Sequence, residues 1–411
     1  MARRQDPEQS RKIIGGILYA LGMLAGGLLL LIVFILPAFA SNDAGAELGA
    51  MLVGALFALP LLFVYLWVPW IVDRYDPEPW WCLLLALAWG GIAACGFSAL
   101  VNTAVHVTGN AVGGKDFGNV LGACVSAPIV EEFTKGMAVF GIYFFLRREF
   151  DGVVDGVIYA TFAALGFAAV ENIIYYSNAA REGGGGALVG TVVVRGILAP
   201  WGHPLYTSMT GLGFGVARET NKTWLKWIAP LAGYGFAAFL HSVWNTAATL
   251  SNALVLVMLP LWFLFVLGFF GLVIWLVKRK GKIIRDHLRD EVLMGNLTPW
   301  ELELISSPWG RIKATFSYGG SAGRKFIDAA ARLALSKWHT GRATQGRKMT
   351  ISADFIVPLR QDLSRLRAEV SRAMGKPVQQ PQPWTPPQMQ PQMQGQGHPP
   401  QPYPGQQQYP R

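Results

Sequence analysis

Six ionisable side chains and one asparagine stand inside long apolar runs of this chain: Glu131, Glu132, Lys135, Glu171, His203, His241 and Asn245. A central acidic or basic group costs roughly 2.5–3.5 kcal/mol on membrane-insertion scales, so each needs a partner or a water-filled cavity. Adjacent Glu131 and Glu132 repel each other. Lys135 follows Glu131 by one helical turn and is expected to pair with it, leaving one carboxylate ionised and its neighbour as acid or support. Two His and three Glu in one cavity activate water by one of two routes. They hold Zn²⁺, through Glu171, His203 and His241, and the ion acidifies bound water. Alternatively a Glu acts as general base while His and Asn orient water and stabilise an oxyanion. Both routes are hydrolysis. In the reading adopted here Glu131 is the base. Glu132 and Lys135 set the charge arrangement, Glu171 and His203 complete the water or metal site, and His241 with Asn245 forms the oxyanion or ligand side.

Other hydrolase signatures are missing. There is no HExxH pair, no intramembrane Asp pair, and no Ser nucleophile with a His partner. No cofactor beyond a metal is implied.

The elements that must position these residues follow from hydropathy. Of 411 residues 52% are hydrophobic and 15% charged, well below the quarter usual for soluble domains. The apolar residues come in uncharged runs near or above the roughly 20 residues needed to cross a bilayer. The expected fold is therefore all-α, a polytopic membrane protein with about eight transmembrane helices, at about 13–40, 50–72, 81–101, 120–146, 153–176, within 188–216, 227–250 and 253–277. With alternating crossings, Arg3, Arg4, Arg11, Lys12, Arg74, Arg147, Arg148, Arg218, Lys222, Lys226, Lys278, Arg279, Lys280 and Lys282 all fall on one side. That bias makes both termini cytoplasmic. The sixth span is broken by Pro200, Gly202 and Pro204. An interfacial piece at 191–196 and a crossing at 198–217 would leave Arg195 snorkelling at the outer interface. In this topology Glu131, Glu132, Glu171, His203 and His241 share one depth, in the outer half of the membrane.

The net charge of +10 does not mark a nucleic-acid binder, because most Lys and Arg flank the apolar runs, and no specific nucleic-acid partner is expected. Cys82, Cys95 and Cys124 form no CxxC pair and read as buried apolar residues. The chain divides into a cytoplasmic N-terminus (1–12), a transmembrane region (13–277), a basic and partly helical cytoplasmic extension (278–376), and a Pro/Gln-rich tail (377–411) that is expected to be disordered. In the extension, Phe326, Ile327, Ala330, Leu333, Ala334 and Trp338 recur at helical spacing. They suit a small bundle or a face laid on anionic lipid or on another protein.

The set Glu131-Glu132-x-x-Lys135, Phe167-x-x-x-Glu171-Asn172, His203 and His241-x-x-x-Asn245 resembles PrsW-type intramembrane proteases, of the superfamily that holds the CAAX-processing and Abi proteases. Asp73-Arg74-Tyr75-Asp76-Pro77-Glu78-Pro79 resembles that family's acidic, Pro-rich cytoplasmic loop. The resemblance covers residues 72–250. It implies an α-helical intramembrane endopeptidase of the bacterial inner membrane that hydrolyses a single-span, membrane-tethered protein from the extracytoplasmic side. In the family's type case that substrate is an anti-sigma factor. The family is labelled metalloprotease, while relatives are argued to be metal-free glutamate enzymes. Two rival readings use the same residues. In a non-catalytic scaffold the cluster glues helices. In an ion-coupled transporter it relays protons, although no repeat symmetry between halves is seen.

Overall fold

The computed structural model describes residues 7–73, 75–345, 351–375 and 377. The topology signals at Arg3, Arg4 and Arg74, and the disorder expected of the tail beyond residue 377, lie outside them. Among the described residues the chain is helical, with no strand. In chain order the helices are α1 (Pro7–Leu30), α2 (Leu36–Ala40), α3 (Ala44–Val72), α4 (Trp80–Ala88), α5 (Cys95–Val120), α6 (Ala127–Phe145), α7 (Val153–Thr191), α8 (Gly202–Glu219), α9 (Thr223–Leu250), α10 (Asn252–Leu293), α11 (Pro299–Ser306), α12 (Gly310–Ser317), α13 (Ser321–Gln345) and α14 (Ile356–Met374). π-helical turns at Leu31–Ile35, Trp89–Ala94, Leu121–Ser126 and Val192–Leu198 join or extend several of them.

Five continuous runs are long and apolar enough to cross a membrane: Glu8–Ala40, Ala44–Val72, Trp80–Phe145, Val153–Glu219 and Ala253–Leu293. Hydropathy divides these stretches into more spans, and two of the runs double back within themselves. Gly114 (φ 82°) and Gly184 (φ 63°) interrupt them with a backbone that L side chains avoid. Thirteen residues of straight helix span about 20 Å, yet His106 Nε2 lies 2.8 Å from Asn119 Oδ1. Arg195 likewise reaches Asn172, 23 residues earlier, at 2.9 Å. Both runs are hairpins with a glycine at the tip.

Ion pairs sort the helix ends into two sets. At one end Glu8 binds Arg148 at 2.5 Å, and Glu219 binds Arg279 at 2.6 Å. At the other, Glu47 binds Arg181 at 2.6 Å.

α7 is the axis of the membrane bundle, and it is buried from Val153 to Ala169. Small residues let its neighbours touch its backbone, the usual packing where lipid offers no hydrophobic drive. A Cβ on Gly156 would fall 2.2 Å from the Gly211 carbonyl, and one on Gly166 would fall 2.0 Å from the Leu87 carbonyl. These contacts fix α8 and α4 against α7, and with them the register of the candidate site.

The end of α10 and helices α11–α14 form a second core around Ile284, Leu288, Phe326, Leu333 and Val370. Of the face expected in α13, Phe326, Ile327, Ala330, Leu333 and Ala334 are buried in this core, so the extension packs as a bundle. The bundle is pinned to the membrane helices by Lys280–Asp155 (3.1 Å), Arg332–Asp76 (3.1 Å) and Tyr75 Oη donating to the Ser306 carbonyl (3.0 Å).

Asp73 lies in that seam. One of its oxygens accepts the Glu78 amide at 2.6 Å and the other has no hydrogen-bond partner. Burial pushes its carboxyl up to about 8, against the pull of Lys280. The folded chain therefore holds this proton more tightly than the unfolded chain does. The group's contribution to stability is intact below its ordinary value of 3.8 and is lost as pH rises towards about 8. Unfolding measured between pH 5 and 9 should show a fall in stability that Asp73→Asn reduces. Equal slopes in the two proteins would refute the assignment.

Candidate active site

α6 opens on Ala127-Pro128, the ring occupying a first-turn position that needs no amide hydrogen. One turn later it presents Glu131 and Glu132. Glu131 lies 14 residues from Phe145, Glu171 18 from Val153, His203 16 from Glu219, and His241 18 from Thr223. At 1.5 Å per residue, all four sit about 21–27 Å from the same end of the bundle. The shared depth expected from the sequence is thus matched by direct contact.

Glu132 is fully buried and saturated. Its Oε1 accepts Lys135 Nζ at 2.6 Å and His241 Nδ1 at 3.0 Å, and its Oε2 accepts the Thr207 hydroxyl at 2.7 Å. Lys135 is therefore closer to Glu132 than to Glu131, whose Oε2 is 3.9 Å from Nζ. The expected one-turn ion pair with Glu131 is present but long, and the direct hydrogen bond goes to the i,i+3 carboxylate of Glu132, which Thr207 and His241 already hold in place. The ammonium also lies 4.4 Å from the centre of the Phe167 ring.

Glu131 is the unsaturated partner. Its Oε1 accepts Asn102 Nδ2 at 3.3 Å, and its Oε2 has no hydrogen-bond partner. His241 Nε2 is 3.9 Å from that oxygen. Because Nδ1 of His241 donates to Glu132, Nε2 keeps its lone pair. A free carboxylate oxygen and an imidazole lone pair thus face a common gap. Tyr206 stacks on the His241 ring at 5.0 Å.

Glu171 is engaged differently. It accepts His203 Nε2 at 2.8 Å and also binds the Arg195 guanidinium. His203 Nδ1 in turn lies 3.0 Å from Lys135 Nζ. Arg195 is the main departure from expectation. It does not snorkel outward: it sits on the Val192–Leu198 turn, stacks 3.8 Å from the centre of Tyr175, and bonds Glu171 and Asn172. The hairpin at Gly184 turns it back onto α7, which hydropathy alone could not reveal.

Asn245 does not join the cluster. Its Nδ2 donates to the Ala123 carbonyl at 2.9 Å, and Ser242 Oγ bonds the Cys124 carbonyl at 2.6 Å. Both bonds tie α9 to the π-helical turn that leads into α6. Asn245→Leu is expected to cost about 1 kcal/mol, the usual size of an interhelical bond in a membrane, and should lower activity far less than a change at Glu131. Denaturant unfolding and a cleavage assay on the same preparation check this.

The family model described as PrsW family intramembrane metalloprotease matches residues 78–276. Residues 78–276 are a PrsW-family segment. Protease PrsW of Bacillus subtilis is 28% identical over 218 residues, which cover 53% of this chain and 88% of the relative. Protease PrsW of Geobacillus kaustophilus is 32% identical over 130 residues, 30% of this chain and 50% of the relative. That of Halalkalibacterium halodurans is 31% identical over 152 residues, 36% and 60% of the two chains. The matched segment thus spans about half the length of the Geobacillus relative. No solved structure matches significantly. The family segment contains the whole cluster and ends before the bundle of α11–α14.

The metal in the family's description can be tested against the side chains. Donor atoms of Glu131, His203 and His241 lie within 4.8 Å of one another. Two His and one carboxylate are a usual catalytic zinc set, and the unpartnered Glu131 oxygen together with the Glu132 carboxylate behind His241 suits one. The carboxylate in this set is Glu131. Glu171, expected as a ligand, is taken up by Arg195 and His203. His203 would have to release Glu171 or Lys135 to bind an ion. With that one exchange the residues fit.

Sequence reasoning missed Asn102 and Thr207, which complete the two carboxylates. Asn102 had a signal, since it stands one turn from Ser98 and from His106 in an otherwise apolar run. Thr207 had none, because a hydroxyl in a membrane helix usually bonds its own backbone.

Proposed function

We propose that the protein is an intramembrane endopeptidase that hydrolyses a single-span, membrane-tethered protein with water activated by Glu131. The observation that carries this reading is the Glu131 oxygen that has no hydrogen-bond partner, facing the free lone pair of His241 across 3.9 Å. Water in that gap donates one hydrogen to each. Glu131 takes a proton as the water oxygen bonds the scissile carbonyl carbon, then delivers it to the leaving amine as the C–N bond breaks. Glu132 fixes the His241 tautomer and holds the Lys135 ammonium near the reacting atoms. Arg195 and His203 hold Glu171 away from that role. A metal, where bound, would rest on Glu131, His203 and His241, and would supply Lewis acidity and an acidified water.

The proposed setting is a bacterial inner membrane crossed eight times. Each of the two hairpins supplies two crossings, α9 supplies another, and both termini are cytoplasmic by the positive-inside rule. The substrate is cut from the extracytoplasmic side; by likeness to the family, an anti-sigma factor is the candidate. The cytoplasmic extension is free to engage anionic lipid or another protein.

The test uses the purified full chain in vesicles with a single-span reporter. Wild type should cut the reporter within its membrane segment. A reporter left intact, or cut equally by Glu131→Gln, would overturn the reading. Metal content measured on the same protein should be about one ion per chain for the zinc route, falling in both His203→Ala and His241→Ala. No bound metal in an active wild type would leave Glu131 as a metal-free base.

A further inference from the structure

Glu131 is only 6% exposed, yet hydrolysis consumes a water at every turnover. The water has to arrive by some polar route, and α5 carries one. Ser98, Asn102, His106 and Asn110 recur every four residues and so line one face of this helix. Each has a polar partner. Ser98 Oγ lies 2.9 Å from Thr134 Oγ1, one turn beyond Glu131 on α6. Asn102 donates to Glu131 and accepts from Ser126 Oγ at 2.8 Å. His106 Nε2 meets Asn119 Oδ1 at 2.8 Å, and Asn110 Nδ2 meets His106 Nδ1 at 3.4 Å.

The donors settle the tautomer. Asn119 Oδ1 only accepts, so His106 Nε2 carries the proton and Nδ1 receives the Asn110 amide. On the facing helix, Asn119, Gly122 and Ser126 line up at helical spacing. The atoms nearest Gly122 across the hairpin belong to His106, and Gly118 leaves the room that the Asn110 amide oxygen occupies. That oxygen is buried and unpartnered. From Asn102 to the hairpin tip at Gly114 is 12 residues, or about 18 Å. The stripe therefore runs from the carboxylate to the end of the bundle opposite the cytoplasmic extension.

We propose that this α5 stripe is the path by which water enters from the extracytoplasmic side and reaches Glu131, with His106 as its central positioning residue. Asn110 touches His106 directly, and a water bridging from His106 to Asn102, one turn on, would continue the line to Glu131, so the stripe and its partners act as a hydrated ladder. The proposal rests on Glu131 being the water-activating group, but access along the ladder can be measured without any cleavage.

His106→Cys and Asn110→Cys are made singly, with lipid-facing Val107→Cys as control (Val107 is 58% exposed). Cys82, Cys95 and Cys124 are buried, so the unmodified chain is the blank. A membrane-impermeant methanethiosulfonate added from the extracytoplasmic side should modify positions 106 and 110 at least tenfold faster than 107. Once modified, the His106→Cys protein should cut its reporter at least tenfold more slowly than before modification, with KM unchanged. Reaction at 106 and 110 no faster than at 107, reaction only from the cytoplasmic side, or full activity after modification would each overturn the path. If the unmodified wild type cuts nothing, the protease reading fails, and the modification pattern alone decides the path.

Discussion

Glu131→Gln is expected to lower reporter cleavage by roughly 100- to 10,000-fold, the range removed with a general base. The substitution is nearly isosteric. It keeps an oxygen for Asn102 Nδ2 at the Oε1 position and replaces an oxygen that has no hydrogen-bond partner and only a long 3.9 Å contact with the Lys135 ammonium. Stability should therefore change little, and the loss should fall on kcat. The neighbouring Glu132→Gln should behave differently. Glu132 accepts from Lys135, His241 and Thr207, so the amide nitrogen has to face one of three donors. Activity and folding should fall together there. Steady-state cleavage with thermal unfolding of each preparation separates the two residues. Full activity in a well-folded Glu131→Gln protein would remove Glu131 from the chemistry.

Lys135→Met is expected to destabilise the membrane bundle by about 3–5 kcal/mol, the usual cost of removing one partner of a buried ion pair. Lys135 is fully buried and, among the described residues, is the only cation within ion-pairing reach of Glu132, apart from His241 when protonated. Without it the Glu132 carboxylate keeps Thr207 and His241 but loses its counter-charge. His203 also loses the donor at Nδ1. The double substitution Lys135→Met with Glu132→Leu should recover much of the lost stability, since replacing both partners leaves no stranded charge. It should recover no activity. Unfolding measured across the single and double variants checks this. A single variant as stable as wild type would mean that water already reaches the pair.

Glu131, Glu132, Lys135, Glu171, His203 and His241 were legible because lipid makes ionisable groups conspicuous and because alternating crossings bring them to one depth. Asn245 was legible as a polar residue one turn from His241, yet it spends its amide on the Ala123 carbonyl. Helical spacing puts both on one face without saying which neighbour that face meets. Arg195 was misread for a related reason. A basic residue near a helix end suits an interface, and only the reversal at Gly184 returns it to Glu171.

The sequence by itself determined the helical, membrane-embedded class and most of the polar cluster. These follow from composition, periodicity and the cost of charge in lipid, all of them local properties. The tertiary structure decided the roles within the cluster. It set Lys135 closer to Glu132 than to Glu131, gave Arg195 to Glu171, and left one oxygen of Glu131 without a hydrogen-bond partner. Those pairings depend on ångström-scale approach between helices, set where glycines such as Gly156 and Gly166 let backbones touch. No spacing along a single helix encodes such distances.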